Sequence, residues 1–159
     1  MPYKATEKTE VPVKKEVNIL IAEDDMGHAA LIRKNLERSG LTNPIIHFKD
    51  GQEVLDFLFF TGSAPHRESG TSYLLLLDIR MPKIDGVEVL RQIKTDPELR
   101  KMPVIMITTT DDPREVEKCH QYGCSNYLTK PVDYGKFVES IKKLGYFLMV
   151  VEIPALNGR

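Results

Sequence analysis

The sequence predicts an α/β protein, a single doubly wound (βα)5 sandwich in which a five-stranded parallel sheet lies between layers of helix. Three observations predict it. Short apolar runs alternate five times with stretches whose apolar residues recur at helical spacing. Most of the runs are apolar throughout, as strands buried on both faces are. A chain of 159 residues is large enough for one domain with a real core. Strands that alternate with helices in this way require right-handed crossovers, and hence one parallel sheet.

The first run, VNILIA at residues 17–22, ends in three carboxylates, Glu23, Asp24 and Asp25. From Met26 the positions Ala29, Ala30, Ile32 or Arg33, and Leu36 recur at helical spacing, with Asp25 placed to cap the first turn and Ser39-Gly40 to stop the last. Residues 44–48 form the second strand candidate. Asp50-Gly51 opens a helix with Val54, Leu55, Leu58 and Phe59 inward and Gly62 at its end. A polar loop, residues 61–72, is expected to lie on the surface and tolerate variation. Residues 73–77 are five apolar side chains closed by Asp78, and Met81-Pro82 and Asp85-Gly86 then turn the chain into a helix over residues 87–94. The fourth strand, 103–107, runs into Thr108, Thr109 and Thr110. Asp111, Asp112 and Pro113 begin a helix that Gly123 closes, the fifth strand is 124–128, and a last helix starts at Asp133 or Tyr134 with Phe137, Val138, Ile141 and Leu144 inward.

Composition narrows the function classes. With 22 basic and 23 acidic side chains the net charge is -1, so no basic footprint marks a nucleic-acid or anionic-membrane partner. No apolar run reaches the length of a membrane span. Residues 1–16 mix Lys and Glu with two prolines, have no apolar stretch, and are expected to be a flexible charged arm rather than a signal peptide, which places the chain in the cytoplasm. Cys119 and Cys124 lack a second cluster and are expected to be reduced structural thiols. His28, His47, His66 and His120 show no ligand spacing and are expected to be surface or structural residues.

Taken singly, each polar strand end has a bland reading. Asp78 can be a solvated strand end or a cap, Glu23 to Asp25 a turn, Thr108 to Thr110 a helix-entry cluster, Lys130-Pro131 an ordinary strand exit, and Tyr127 a half-buried strand aromatic. Their joint position changes the weighing. The carboxyl ends of parallel strands open on one edge, where ligands of such sheets bind. Three acids there repel one another and need a cation; an oxygen-only cluster is what Mg²⁺ takes. A nearby Lys and hydroxyl complete a cradle for phosphoryl oxygens, with Asp78 as the attacking carboxylate.

These motifs, ILIAEDD, LLLLDIRMPKIDG, PVIMITT and NYLTKPV, resemble the receiver domains of two-component response regulators over roughly residues 17–147. The resemblance implies the flavodoxin-like strand order 2-1-3-4-5. It implies that Asp78 accepts a phosphoryl group from a phosphohistidine of a sensor histidine kinase, and that Glu23, Asp24 (the more direct), Asp78 and the Arg80 backbone carbonyl hold Mg²⁺. Thr108 and Lys130 would bind the phosphoryl group, with a cis Lys130-Pro131 bond, and Tyr127 would move inward to switch the face made by the fourth helix, fifth strand and fifth helix. Arg80 and Thr110 would tune dephosphorylation. The polar loop and the apolar segment 148–159 are similar to features of stand-alone regulators that partner bacterial and cyanobacterial phytochromes, which implies a bacteriophytochrome-type kinase partner and a homodimer formed through the carboxyl-terminal segment. No output domain is expected, so the signal would pass by contact or to a downstream phosphotransfer protein.

Two other readings compete. A phosphatase of the haloacid-dehalogenase type shares the nucleophilic Asp, Thr, Lys and Mg²⁺, but wants an acid two residues after the nucleophile, where this chain has Arg80. A pseudo-receiver that works without phosphorylation fits poorly with an intact Asp78, acid pair, Thr108 and Lys130.

Overall fold

Each strand exit towards a helix carries an aspartate, and this regularity organises the architecture. In the computed structural model, which describes residues 16–158, the elements run β1 (Val17–Ala22), α1 (Met26–Arg38), β2 (Ile45–Phe48), α2 (Gly51–Phe59), β3 (Ser72–Leu77), α3 (Gly86–Thr95), β4 (Val104–Thr108), α4 (Pro113–Tyr122), β5 (Asn126–Thr129) and α5 (Tyr134–Val150). Asp25, Asp50, Asp85, Asp112 and Asp133 are the N-caps of the five helices, each accepting from a backbone N–H of the first turn. Of the charged arm expected at residues 1–16, all but Glu16 lies outside the described residues.

The sheet is parallel throughout and ordered β2-β1-β3-β4-β5, as expected. The strand alternation divides the core in two. Ile19, Ile21, Leu74, Leu76, Ile105 and Ile107 pack with Ile32 and Leu36 of α1 and Phe137, Ile141 and Leu144 of α5. Leu20, Leu75, Leu77, Val104 and Met106 face α2, α3 and α4 through Val54, Leu58, Val89, Leu90, Ile93 and Cys119. Every residue of β3 is buried, the physical counterpart of its unbroken apolar run. Cys119 and Cys124 are free and buried. Among the described residues no helix is long and apolar enough to cross a membrane.

Three features differ from expectation. α2 ends at Phe60 rather than Gly62; Phe60 takes a left-handed conformation with φ 60 and its ring stacks on the Arg67 guanidinium, 4.6 Å from ring centre to Cζ. The polar loop is not wholly on the surface, because Arg67 is buried and donates from Nε to the Leu58 carbonyl and from Nη2 to that of Asn157. A 3-10 turn, Leu99–Lys101, precedes β4 where the sequence suggests only a linker.

The cause of the second difference is the carboxyl-terminal segment. α5 continues to Val150, and the chain then returns to the amino-terminal edge of β3. Leu156 forms an antiparallel bridge with Thr71, the Ser72 hydroxyl donates to the Ile153 carbonyl, and the Asn157 N–H donates to Glu98. The Leu156 side chain is fully buried among the residues of the α2–α3 core. Leu156→Ala is expected to lower the unfolding free energy by about 3 kcal/mol, the usual scale for a buried leucine cut back to its β-carbon. Urea unfolding measures it, and an unchanged midpoint would show that the strap is peripheral.

Candidate functional site

Glu23 and Asp78 follow the adjacent strands β1 and β3, and the sheet itself brings them together. The Asp78 N–H donates to the Ala22 carbonyl at 3.0 Å and the Glu23 N–H to that of Phe48 at 3.0 Å, so both backbones are held by the ladders that end there. The turn after β3 is drawn in tightly. The Gly86 N–H donates to the Ile79 carbonyl at 2.8 Å, and a β-carbon at Gly86 would sit 2.0 Å from the Asp78 carbonyl oxygen, so this position needs glycine. The Ile79 N–H donates to Asp78 Oδ1 at 2.8 Å, leaving Oδ2 facing the pocket cation.

That cation is Lys130. Its N–H donates to the Thr108 carbonyl at 2.6 Å, and its ammonium pairs with Glu23 Oε1 and lies 3.5 Å from Asp78 Oδ2. Glu23 is 1 % exposed, and Asp78 and Lys130 6 % each. Carboxylate oxygens of Glu23, Asp24 and Asp78 all lie within 4.8 Å of one another, with Asp24 exposed at the mouth. Burial, with Asp78 adding to it, pushes the Glu23 carboxyl up to about 8 against the opposing pull of Lys130. Three acids gather around one buried ammonium, and the donors are all hard oxygens. The set therefore fits a divalent cation of the Mg²⁺ or Mn²⁺ type, which Glu23, Asp24 and Asp78 could hold.

Thr108 closes the pocket floor at the end of β4. It is fully buried, and its hydroxyl has no hydrogen-bond partner. Such an orphan is uncommon in a folded interior and suits a group that waits for an incoming acceptor. The Lys130-Pro131 bond, expected cis, is trans; the cis bond among the described residues is Ala64-Pro65.

The remaining expected residues form a second group beside the first. Arg80 is exposed and pairs with Glu115 at 3.1 Å, the Thr110 hydroxyl donates to the same carboxylate at 2.8 Å, and the Tyr127 hydroxyl donates to the Thr110 carbonyl at 2.7 Å. Burial pushes the Tyr127 phenol up to about 12, so it stays a donor. Two residues here escape sequence reasoning. Glu115 sits three residues after the cap Asp112, where it reads as a helix-start acid, yet its carboxylate joins Arg80 to Thr110. His28, read as surface or structural, places Nδ1 3.0 Å from the Lys130 ammonium, and its spacing of one helical turn after the capping Asp25 was the available signal. His47 contacts the Glu23 carbonyl through Nε2 at 2.7 Å.

Removing one acid should relieve the pocket. A carboxyl raised from 4.5 to about 8 costs the fold nothing below the lower value, and its cost grows as pH rises towards the upper one. Asp78→Asn keeps the shape and the Ile79 hydrogen bond, so in metal-free buffer it should stabilise the protein by about 1 kcal/mol at pH 8 and by less at pH 5. Paired urea titrations at the two pH values measure this, and a variant less stable at pH 8 would refute the repulsion account.

Comparisons with known proteins agree with this geometry. The model of the response regulator receiver domain family matches residues 19–142. The methanogenesis regulatory protein FilR2 of Methanothrix harundinacea, named as probable, is 38% identical over 130 residues, covering 79% of this chain and 81% of its own. Response regulator Rcp1 of Synechocystis is 33% identical over 140 residues, 86% of this chain and 92% of its own, and the crystal structure of its Mn(2+)-bound form superposes with a TM-score of 0.78, covering 87% and 99%. A receiver domain from Rhodospirillum rubrum superposes with a TM-score of 0.83 at 41% identity, covering 89% of this chain and 99% of that one. Bacteriophytochrome response regulators are also among the matches, RtBRR at 33% identity and a TM-score of 0.69, covering 91% of this chain and 84% of that one. With sheet order, pocket and relatives in agreement, this chain belongs to the response regulator receiver domain family.

Proposed function

We propose that the chain is a phosphorylation-driven switch in which Asp78 accepts a phosphoryl group from a phosphohistidine of a sensor histidine kinase. The observation that carries this is the pocket itself: three carboxylates within 4.8 Å, the Lys130 ammonium 3.5 Å from Asp78, and the partnerless buried hydroxyl of Thr108. A carboxylate oxygen of Asp78 attacks phosphorus, the P–N bond breaks with its electron pair passing to the imidazole, and that ring leaves after taking a proton from solvent. Glu23, Asp24, Asp78 and the Arg80 carbonyl would hold Mg²⁺, which would supply neutralising charge for the phosphoryl oxygens. Lys130 meets one phosphoryl oxygen, and Thr108 turns its free hydroxyl to another.

Movement of Thr108 is coupled to Tyr127 two strand positions from Lys130's neighbour Thr129, and so to the α4-β5-α5 face, where Val132 and Tyr134 are exposed. Arg80 and Thr110, tied through Glu115, set how readily water reaches the acyl phosphate. Such a protein is a phosphoacceptor with slow self-dephosphorylation, not a turnover enzyme. Against the phosphatase reading, the residue two beyond Asp78 is Arg80, whose guanidinium is bound to Glu115 and cannot serve as the general acid. The likeness to bacteriophytochrome response regulators supports a phytochrome-type kinase as the donor and a cytoplasmic location, with a phosphotransfer protein or contact partner downstream.

A homodimer is the second part of the reading. Tyr146, Phe147, Met149 and Val150 are exposed on the last turns of α5, while Gly145 and Leu148 face inward. Six apolar residues in succession exceed what one helix face can bury, and the remainder suits a second copy.

Incubation with acetyl phosphate and Mg²⁺, followed by intact mass, should show one phosphoryl group on the wild type and none on Asp78→Asn. Uptake by the variant, or many turnovers of a generic phosphomonoester, would overturn the assignment. For the dimer, Tyr146→Glu combined with Val150→Lys should weaken self-association at least about tenfold in sedimentation without loss of fold, since both side chains project outward. An unchanged association constant would remove the helix from the interface.

A further inference from the structure

A lysine ammonium has three N–H donors. Lys130 has three acceptors around it: Glu23 Oε1, Asp78 Oδ2 at 3.5 Å and His28 Nδ1 at 3.0 Å. The first two belong to the phosphoryl chemistry proposed above. The third has no part in it.

We propose that His28 is a positioning residue for Lys130, its neutral imidazole accepting the third N–H and thereby fixing the direction in which the ammonium faces Asp78. This rests on the reading of Asp78 as phosphoacceptor. To accept at Nδ1 the ring must carry its hydrogen on Nε2. Backbone and ring are each held by one contact. The His28 N–H donates to Asp25 Oδ1 at 3.0 Å, which places the residue on the first turn of α1, and the imidazole meets Phe137 of α5 edge to face, with centroids 6.0 Å apart at 76°. Phe137 backs the ring on the α5 side, while 39 % of the side chain remains exposed.

The benefit is in the reaction. A lysine has a long stem and loses rotamer freedom when it is fixed. A cation fixed beforehand needs no reorganisation as charge develops on the phosphoryl oxygens. When Asp78 Oδ2 gives way to a phosphoryl oxygen, the acceptor on that side changes, and His28 holds the ammonium in register through the exchange.

The test uses the full chain with acetyl phosphate at saturating Mg²⁺, and follows the uptake rate by intact mass for His28→Leu and His28→Asn. Loss of one hydrogen bond to a charged group predicts uptake about tenfold slower in His28→Leu, with His28→Asn, whose amide oxygen can still accept, within about threefold of wild type and the Mg²⁺ half-saturation unchanged in both. Uptake by His28→Leu at the wild-type rate, or His28→Asn as slow as His28→Leu, would overturn the proposal, because a purely structural role would not distinguish the two. A second measurement needs no phosphoryl group: labelling of Lys130 by an amine reagent in metal-free protein, read by peptide mass spectrometry, should be at least about threefold faster in His28→Leu than in wild type or His28→Asn. Equal labelling rates would also overturn it. If the wild type takes up no phosphoryl group, the function reading fails while labelling still decides the role of His28.

Discussion

Two buried carboxylates share one ammonium, and the architecture around the pocket follows from keeping that arrangement intact. Glu23 and Asp78 are neighbours because β1 and β3 are neighbours. Lys130 follows β5, two strands from β3, and has to reach back over β4 to meet them. Its long stem makes the reach possible, and the hydrogen bond from its N–H to the Thr108 carbonyl sets the starting point. A strand order that separated β1 from β3 would scatter the same residues along the edge with no common centre.

Stability does not explain this cluster. Withdrawing charges from water costs several kcal/mol for each ion, and well-packed apolar residues in their place are often neutral or better. The two cores on either face of the sheet contain what such replacements would resemble, leucine, isoleucine and valine in close contact. Glu23 is held against its preference, with a carboxyl pushed up to about 8, and Thr108 keeps a buried hydroxyl without a partner. Among the described residues Asn35 Oδ1 and Arg67 Nη1 are also buried without a partner, but only at this rim does such a group stand beside a raised carboxyl, an ammonium and further acids, which makes the rim the candidate place for chemistry.

Much of this was legible beforehand, for identifiable reasons. Buried parallel strands are apolar along their whole length, so β1, β3 and β4 announce themselves, and the polar residue that ends each run marks the pocket. Aspartate caps state where helices begin. Contacts between distant segments were not legible. Nothing in NYLTKPV says that Lys130 will meet His28, because that contact depends on how α1 and β5 sit at the edge. Glu115 reads as an ordinary helix-start acid until Arg80 and Thr110 are seen on it. The polar loop looked like free surface because composition reports solvent preference, and the burial of Arg67 and Ser72 is imposed by the strap around Leu156.

α5 connects the two ends of the molecule. Its cap, Asp133, lies three residues after Lys130, and its 17 residues carry the chain, at the usual rise, about 25 Å away from the pocket. Along one side it packs on α1 and the sheet through Phe137, Ile141, Leu144 and Leu148; at its far end it exposes Tyr146, Phe147 and Val150 before the chain turns into the strap. A helix packed along its length cannot bend locally without opening core contacts, so a displacement at its first turn must be carried as a rigid shift or not at all. The site side of that first turn is occupied by Phe137 against His28, and His28 against Lys130. The position of the ammonium and the seating of the helix are thus parts of one packing arrangement, joined through side chains already in contact.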